Sequence, residues 1–130
     1  MRKVAIAVGV IILAVISWQG VATIKCNRKN TEFARRMGAI NSEARRRLPL
    51  GAGRSDVVKF LEDHQMDHFT DKPRLGWEGE AIQGSRMVEG GCAPFGCGTD
   101  RFWMVMRVKL SPSGTVAEVP SVEGIYADCL

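Results

Sequence analysis

Residues 4–24 carry no charged side chain, the longest such stretch in a chain of 130 residues. As a helix, the 21 residues of this run reach about 30 Å, the thickness of a bilayer's hydrocarbon core. Arg2 and Lys3 stand before the run, Trp18 sits where an interfacial aromatic is expected, and Lys25 closes it. The run predicts an N-terminal transmembrane helix, with residues 1–25 serving as a membrane anchor or signal segment. Cleavage near Ala22 is the alternative, since Gly20-Val21-Ala22 places small residues ahead of Thr23, and it would release a secreted domain. Cys26 does not read as a lipoprotein cysteine, because Lys25 occupies the position that needs a small residue.

Charge is distributed in blocks. The chain has 18 Lys and Arg against 14 Asp and Glu, but residues 26–54 hold eight basic and two acidic residues, and residues 55–130 seven and twelve. The basic balance therefore belongs to the first part of the chain. Arg35, Arg36, Arg45, Arg46 and Arg47 fall on residues 26–47, read as a basic juxtamembrane helix facing anionic headgroups. The last three also suit the negative end of a helix. No aromatic stacking platform is interleaved with them, so no nucleic-acid partner is expected. Orientation pulls two ways. Two Lys or Arg precede the run and five follow it up to Arg36, which favours a cytoplasmic domain, whereas four cysteines suit an oxidising compartment. The reading adopted is a single-pass inner (cell) membrane protein with its domain on the exported side; a cytoplasmic domain is the alternative.

Residues 48–130 form one small α+β domain in this reading. Phe33, Met37, Ile40, Ala44 and Leu48 recur at helical spacing as one apolar stripe, after a polar hinge at residues 27–30. Pro49 and Gly51-Ala52-Gly53 stop that helix. Ser55 is the expected N-cap of a short second one over residues 55–64, with Val57, Val58, Phe60 and Leu61 as its apolar face. From Met66 the pattern turns to strands. Phe102, Met104, Met106, Val108 and Leu110 alternate with Arg101, Trp103, Val105, Arg107 and Lys109, a half-buried strand. Ser111-Pro112-Ser113-Gly114 suits a type I turn, and residues 115–119 are expected to return as the partner strand. Residues 122–126 read as a further edge piece, and residues 80–88 as an earlier strand weakened by Gly84. The fold expected is α+β: a transmembrane helix, then two helices packed on a three-stranded antiparallel sheet.

Chemistry is sparse. No Ser-His-Asp arrangement, His-Glu-x-x-His or Gly-x-Ser-x-Gly occurs, so the chain is not expected to be an enzyme and no cofactor is expected. Cys92 and Cys97 bracket a glycine-rich loop, and a local disulfide between them is the preferred reading. Cys129 pairing with either of them is the alternative, with Cys26 left free or linking two copies. His64, His68, Cys92 and Cys97 together make a Cys₂His₂ set, the basis of a rival reading as a thiol or zinc-binding protein. The spacing of the two histidines across a helix end argues against it.

Residues 48–61, Leu-Pro-Leu-Gly-Ala-Gly-Arg-Ser-Asp-Val-Val-Lys-Phe-Leu, resemble the start of small exported domains of the BamE/SmpA and β-lactamase-inhibitor-like type. The strand at 102–110, the turn at 111–114 and the strand at 115–119 are similar to that family's hairpin. The resemblance covers about half of the part after residue 25 and implies two helices on a three-stranded sheet, with a non-catalytic binding or assembly role. Members carry a lipidated cysteine that Cys26 does not match, so an outer-membrane lipoprotein is not implied. The expectation is a membrane-tethered, exported protein-interaction or envelope-assembly domain. Its binding surface would be the sheet face bearing Arg101, Trp103, Val105 and Arg107, and it would have a membrane partner through residues 4–24 and an unidentified protein partner.

Overall fold

The computed structural model describes residues 2–71, 79–94 and 96–129, with side chains from residue 10 onward except at residue 12. Two helices, α1 (Arg2–Arg47) and α2 (Arg54–Asp63), are followed by four strands, β1 (Asp67–Asp71), β2 (Ala81–Glu89), β3 (Arg101–Lys109) and β4 (Ser121–Tyr126). The strands form one antiparallel sheet in the order β1-β2-β3-β4.

The fold departs from the expected one in three respects. The sheet has four strands, because residues 67–71 pair with β2. The expected transmembrane helix is the first half of α1, which runs on unbroken through the supposed hinge at residues 27–30. No helix among the described residues is long and apolar enough to cross a membrane. Residues 115–119 are not the partner strand of β3. They make isolated bridges only, Gly53 with Thr115 and Leu110 with Val116. The physical reason is that Val116 exchanges backbone hydrogen bonds with the α1–α2 loop: its N–H donates to the Ala52 carbonyl at 2.8 Å, and its carbonyl accepts from Gly51 at 2.9 Å. The turn at 111–114 forms as expected, with the Gly114 N–H donating to the Ser111 carbonyl at 2.9 Å. The chain then returns to β3 as β4.

Both helices lie on one face of the sheet. The alternation of β3 is followed position by position, with Phe102, Met104, Met106 and Val108 buried while Arg101, Trp103 and Arg107 are exposed. Onto that face α1 contributes Ala44, and Leu48 follows just past the end of the helix; both are fully buried, with Phe33, Met37 and Ile40 half-buried behind them. From α2 come Val57, Phe60 and Leu61. Helix α2 begins one residue ahead of the expected start. Gly53 is the N-cap, and the Asp56 carboxylate accepts its N–H at 3.1 Å. The Asp56 contact is half of a capping box.

Two disulfides join elements far apart in sequence. Cys26 on α1 bonds Cys92, 66 residues on, and Cys97 bonds Cys129, 32 residues on. The local Cys92–Cys97 disulfide is therefore corrected, and Cys26 is not free. The expected alternative, Cys129 with Cys97, is the pairing found. Continuity of α1 past residue 25 is what carries Cys26 to Cys92.

Candidate interaction surface

The face of the sheet turned away from the helices is open. Register brings side chains from three strands into rows across it. Met87, Trp103 and Ile125 are cross-strand neighbours, and so are Ser85, Val105 and Glu123, and Gln83, Arg107 and Ser121. The first row is apolar and exposed: Met87 at 38%, Trp103 at 39% and Ile125 at 70% of full accessibility. Phe69 on β1 lies opposite Gln83, and Val119 borders the strands from the preceding loop; both are exposed. Trp103, Val105 and Ile125 line an open groove of about 520 Å³ together with Val119, Arg107 and Glu123.

Charges rim this surface in pairs. Arg101 Nη2 lies 3.1 Å from an Asp128 carboxylate oxygen, Lys109 Nζ 2.8 Å from Glu118, and Arg107 Nη2 3.6 Å from Asp71. The Thr99 hydroxyl, and after it Arg101, holds the Asp128 carboxyl below its ordinary value. Arg101, Trp103 and Arg107 thus stand where the alternation puts them, on one face. Met87 and Ile125 complete the row, and only the register of β2 and β4 reveals them. Alternation says which face a residue takes but not which residue stands beside it.

At one end of the face the loop at 90–100 is fastened to α1. Lys29 Nζ donates to Asp100 Oδ2 at 2.6 Å and lies 3.0 Å from Glu89 Oε1. Asn30 Oδ1 accepts the Cys92 N–H at 2.7 Å, and Asp100 Oδ1 accepts the Ala93 N–H at 2.7 Å. Tyr126 closes the cluster by donating its hydroxyl to the Cys92 carbonyl at 3.3 Å. Lys29, then the Ala93 amide, hold the Asp100 carboxyl below its ordinary value, and Asp100, then Glu89, raise the Lys29 ammonium.

The proposed zinc ligands are not brought together. Both Cys92 and Cys97 have their sulfurs in disulfides. His64 caps the C-terminus of α2, whereas His68 lies on β1 opposite Gly84, in the middle of β2. Among the described residues no group of three or more His, Cys, Asp or Glu is placed to hold a metal ion. Of the basic residues assigned to a membrane surface, two reach other elements and a third pairs within its own helix. Arg35 pairs with Glu32 at 2.7 Å, and Arg36 donates to the Glu89 carbonyl at 3.1 Å. Arg47 bonds Asp63 at 2.6 Å and lies over the Phe60 ring. Arg45 and Arg46 are exposed in the last turn of α1.

No protein-family model, curated protein or solved structure matches the chain.

Proposed function

We propose that this chain is an exported, non-catalytic interaction domain that captures another protein on the open face of its sheet. The observation that carries this reading is the exposed Met87–Trp103–Ile125 row, in register across three strands and rimmed by paired charges. An apolar patch with a polar rim and a central Trp has the composition of a protein-binding surface. The two disulfides support an oxidising, exported compartment. The uncharged arm at residues 4–24 supports association with a membrane: Ile11, Leu13, Ile16 and Trp18 are exposed on it, and apolar surface of that extent calls for a cover. The interaction role agrees with what the resemblance to BamE/SmpA-type modules implies.

The test is Trp103→Ala in the tagged full chain. Trp103 is not part of the buried core, so circular dichroism and the thermal midpoint are expected to stay close to wild type, while recovery of the co-purifying partner falls at least tenfold. Equal recovery of the same partner by the two proteins overturns the proposal.

A further inference from the structure

A second cavity, of about 200 Å³, lies on the other side of the sheet between α1 and β2. Phe33, Met37 and Ile40 from α1 and Val88 and Met104 from the sheet give it an apolar floor, and Arg36 and Arg86 stand in its wall. Arg86 is half-buried on the core-facing side of β2, between buried Gly84 and half-buried Val88. Its Nη1 donates to the His64 carbonyl at 2.9 Å, as Arg36 Nη2 donates to the Glu89 carbonyl at 3.1 Å. Neither guanidinium has a carboxylate within ion-pair distance among the described residues, whereas Arg35, Arg47, Arg54, Arg101 and Arg107 all do; Glu32, on the same helix as Arg36, feels its charge from further off. Two other polar groups border the cavity. His64 has its Nε2 3.5 Å from Glu43 Oε2, and that nitrogen makes no hydrogen bond; the Glu89 carboxylate is drawn toward Lys29 at 3.0 Å.

A guanidinium on the core side of a sheet, held by one carbonyl, is partly desolvated without being neutralised. The carbonyl fixes its orientation and leaves most of its five N–H donors unspent. We propose that this cavity binds a small organic monocarboxylate, its carboxylate held by Arg86 and Arg36 and its short alkyl chain lying on Met37, Met104 and Phe33. A carboxylate matches the parallel N–H groups of a guanidinium. The apolar floor favours an anion with a hydrocarbon body over inorganic phosphate, and the small volume favours a short chain.

Met37 and Met104 place reporter methyl groups in the cavity, while Met66 and Met87 lie outside its lining. The experiment is methyl NMR of the full chain, labelled at methionine and kept in one detergent, titrated separately with hexanoate, hexan-1-ol and phosphate. Saturable shifts confined to Met37 and Met104 are expected with hexanoate, and at least tenfold weaker responses with the other two. Arg86→Gln should weaken hexanoate about tenfold, the scale of a lost charge-assisted hydrogen bond. Should Arg86→Gln fail to fold, Arg36→Gln removes an exposed head and should weaken hexanoate at least threefold. Absence of a saturable response overturns the proposal, as do equal binding of hexan-1-ol, equal binding of phosphate, or unchanged affinity in the folded variants.

Discussion

Gly84 shows how one position can be misread from its own propensity. Within a strand pattern it counts as a weakness, since glycine costs backbone entropy and packs nothing. In the fold it is buried in mid-β2, and a Cβ there would meet the Leu61 methyls of α2. The missing side chain is what lets α2 approach the sheet. Gly84→Ala is therefore expected to destabilise by about 1–3 kcal/mol, the usual cost of overpacking, read as a lower thermal midpoint with unchanged secondary structure. An unchanged midpoint would mean that Leu61 repacks freely. Asn41 is a second position whose role lies in a long-range contact. Its Oδ1 accepts the Val122 N–H at 2.7 Å and its Nδ2 donates to the Val122 carbonyl at 3.2 Å. The side chain pairs with the outer edge of β4 as a neighbouring strand would. Asn41→Leu leaves both backbone groups unpaired beneath α1 and should cost about 1–3 kcal/mol, measurable by denaturant titration.

Among the elements, α1 departs furthest from what its sequence suggested. Lys29 and Asn30 look like solvated residues between an apolar run and an amphipathic stripe, and a polar cluster there reads as a hinge. They are instead what fastens the helix to the loop at 90–100, beside the Cys26–Cys92 disulfide. Pairing of cysteines 66 residues apart is invisible to local spacing, which favoured the nearer partner. Periodicity did reveal α2 and β3, because each has a regular buried face. It failed at β1, Asp67–Asp71, an edge strand whose first four residues are exposed and which therefore shows no apolar alternation. Of the surface, Arg101, Trp103 and Arg107 were legible for the reason β3 was, while Met87 and Ile125 awaited the register. Replacing both Cys26 and Cys92 by Ser should cost about 2–4 kcal/mol, read as a lower denaturation midpoint with the 97–129 bridge intact. The ionic part of the fastening has a defined pH dependence. The Asp100 carboxyl titrates below its unfolded value of 3.8, so its contribution is present above that value and is lost as pH falls through the folded one. Lys29 is raised above its unfolded value of 10.5, so its contribution is present below that value and is lost as pH rises through the folded one. Thermal midpoints should hold between neutral pH and about pH 5 and fall below pH 4, with a shallower fall in Asp100→Asn.

For the whole molecule, compartment and fold are tied through the cysteines. All four are paired, one bridge tying α1 to the loop between β2 and β3 and the other tying Cys129 to that same loop. Disulfides form and persist where thiols are oxidised, which supports the exported placement proposed above. The competing argument, the count of basic residues after the apolar run, presupposed a spanning helix that is not found among the described residues, and Lys29 and Arg36 in that count are engaged outside α1, with Asp100 and the Glu89 carbonyl. A membrane-impermeant maleimide decides between the two compartments. On spheroplasts of cells producing the full chain, labelling is expected only after a reductant is added and without lysis. Labelling that requires lysis but no reductant would put a reduced chain in the cytoplasm. The disulfides would then be absent in the cell, α1 would be held to the loop by Lys29 and Asn30 alone, and the exported reading would fall with them.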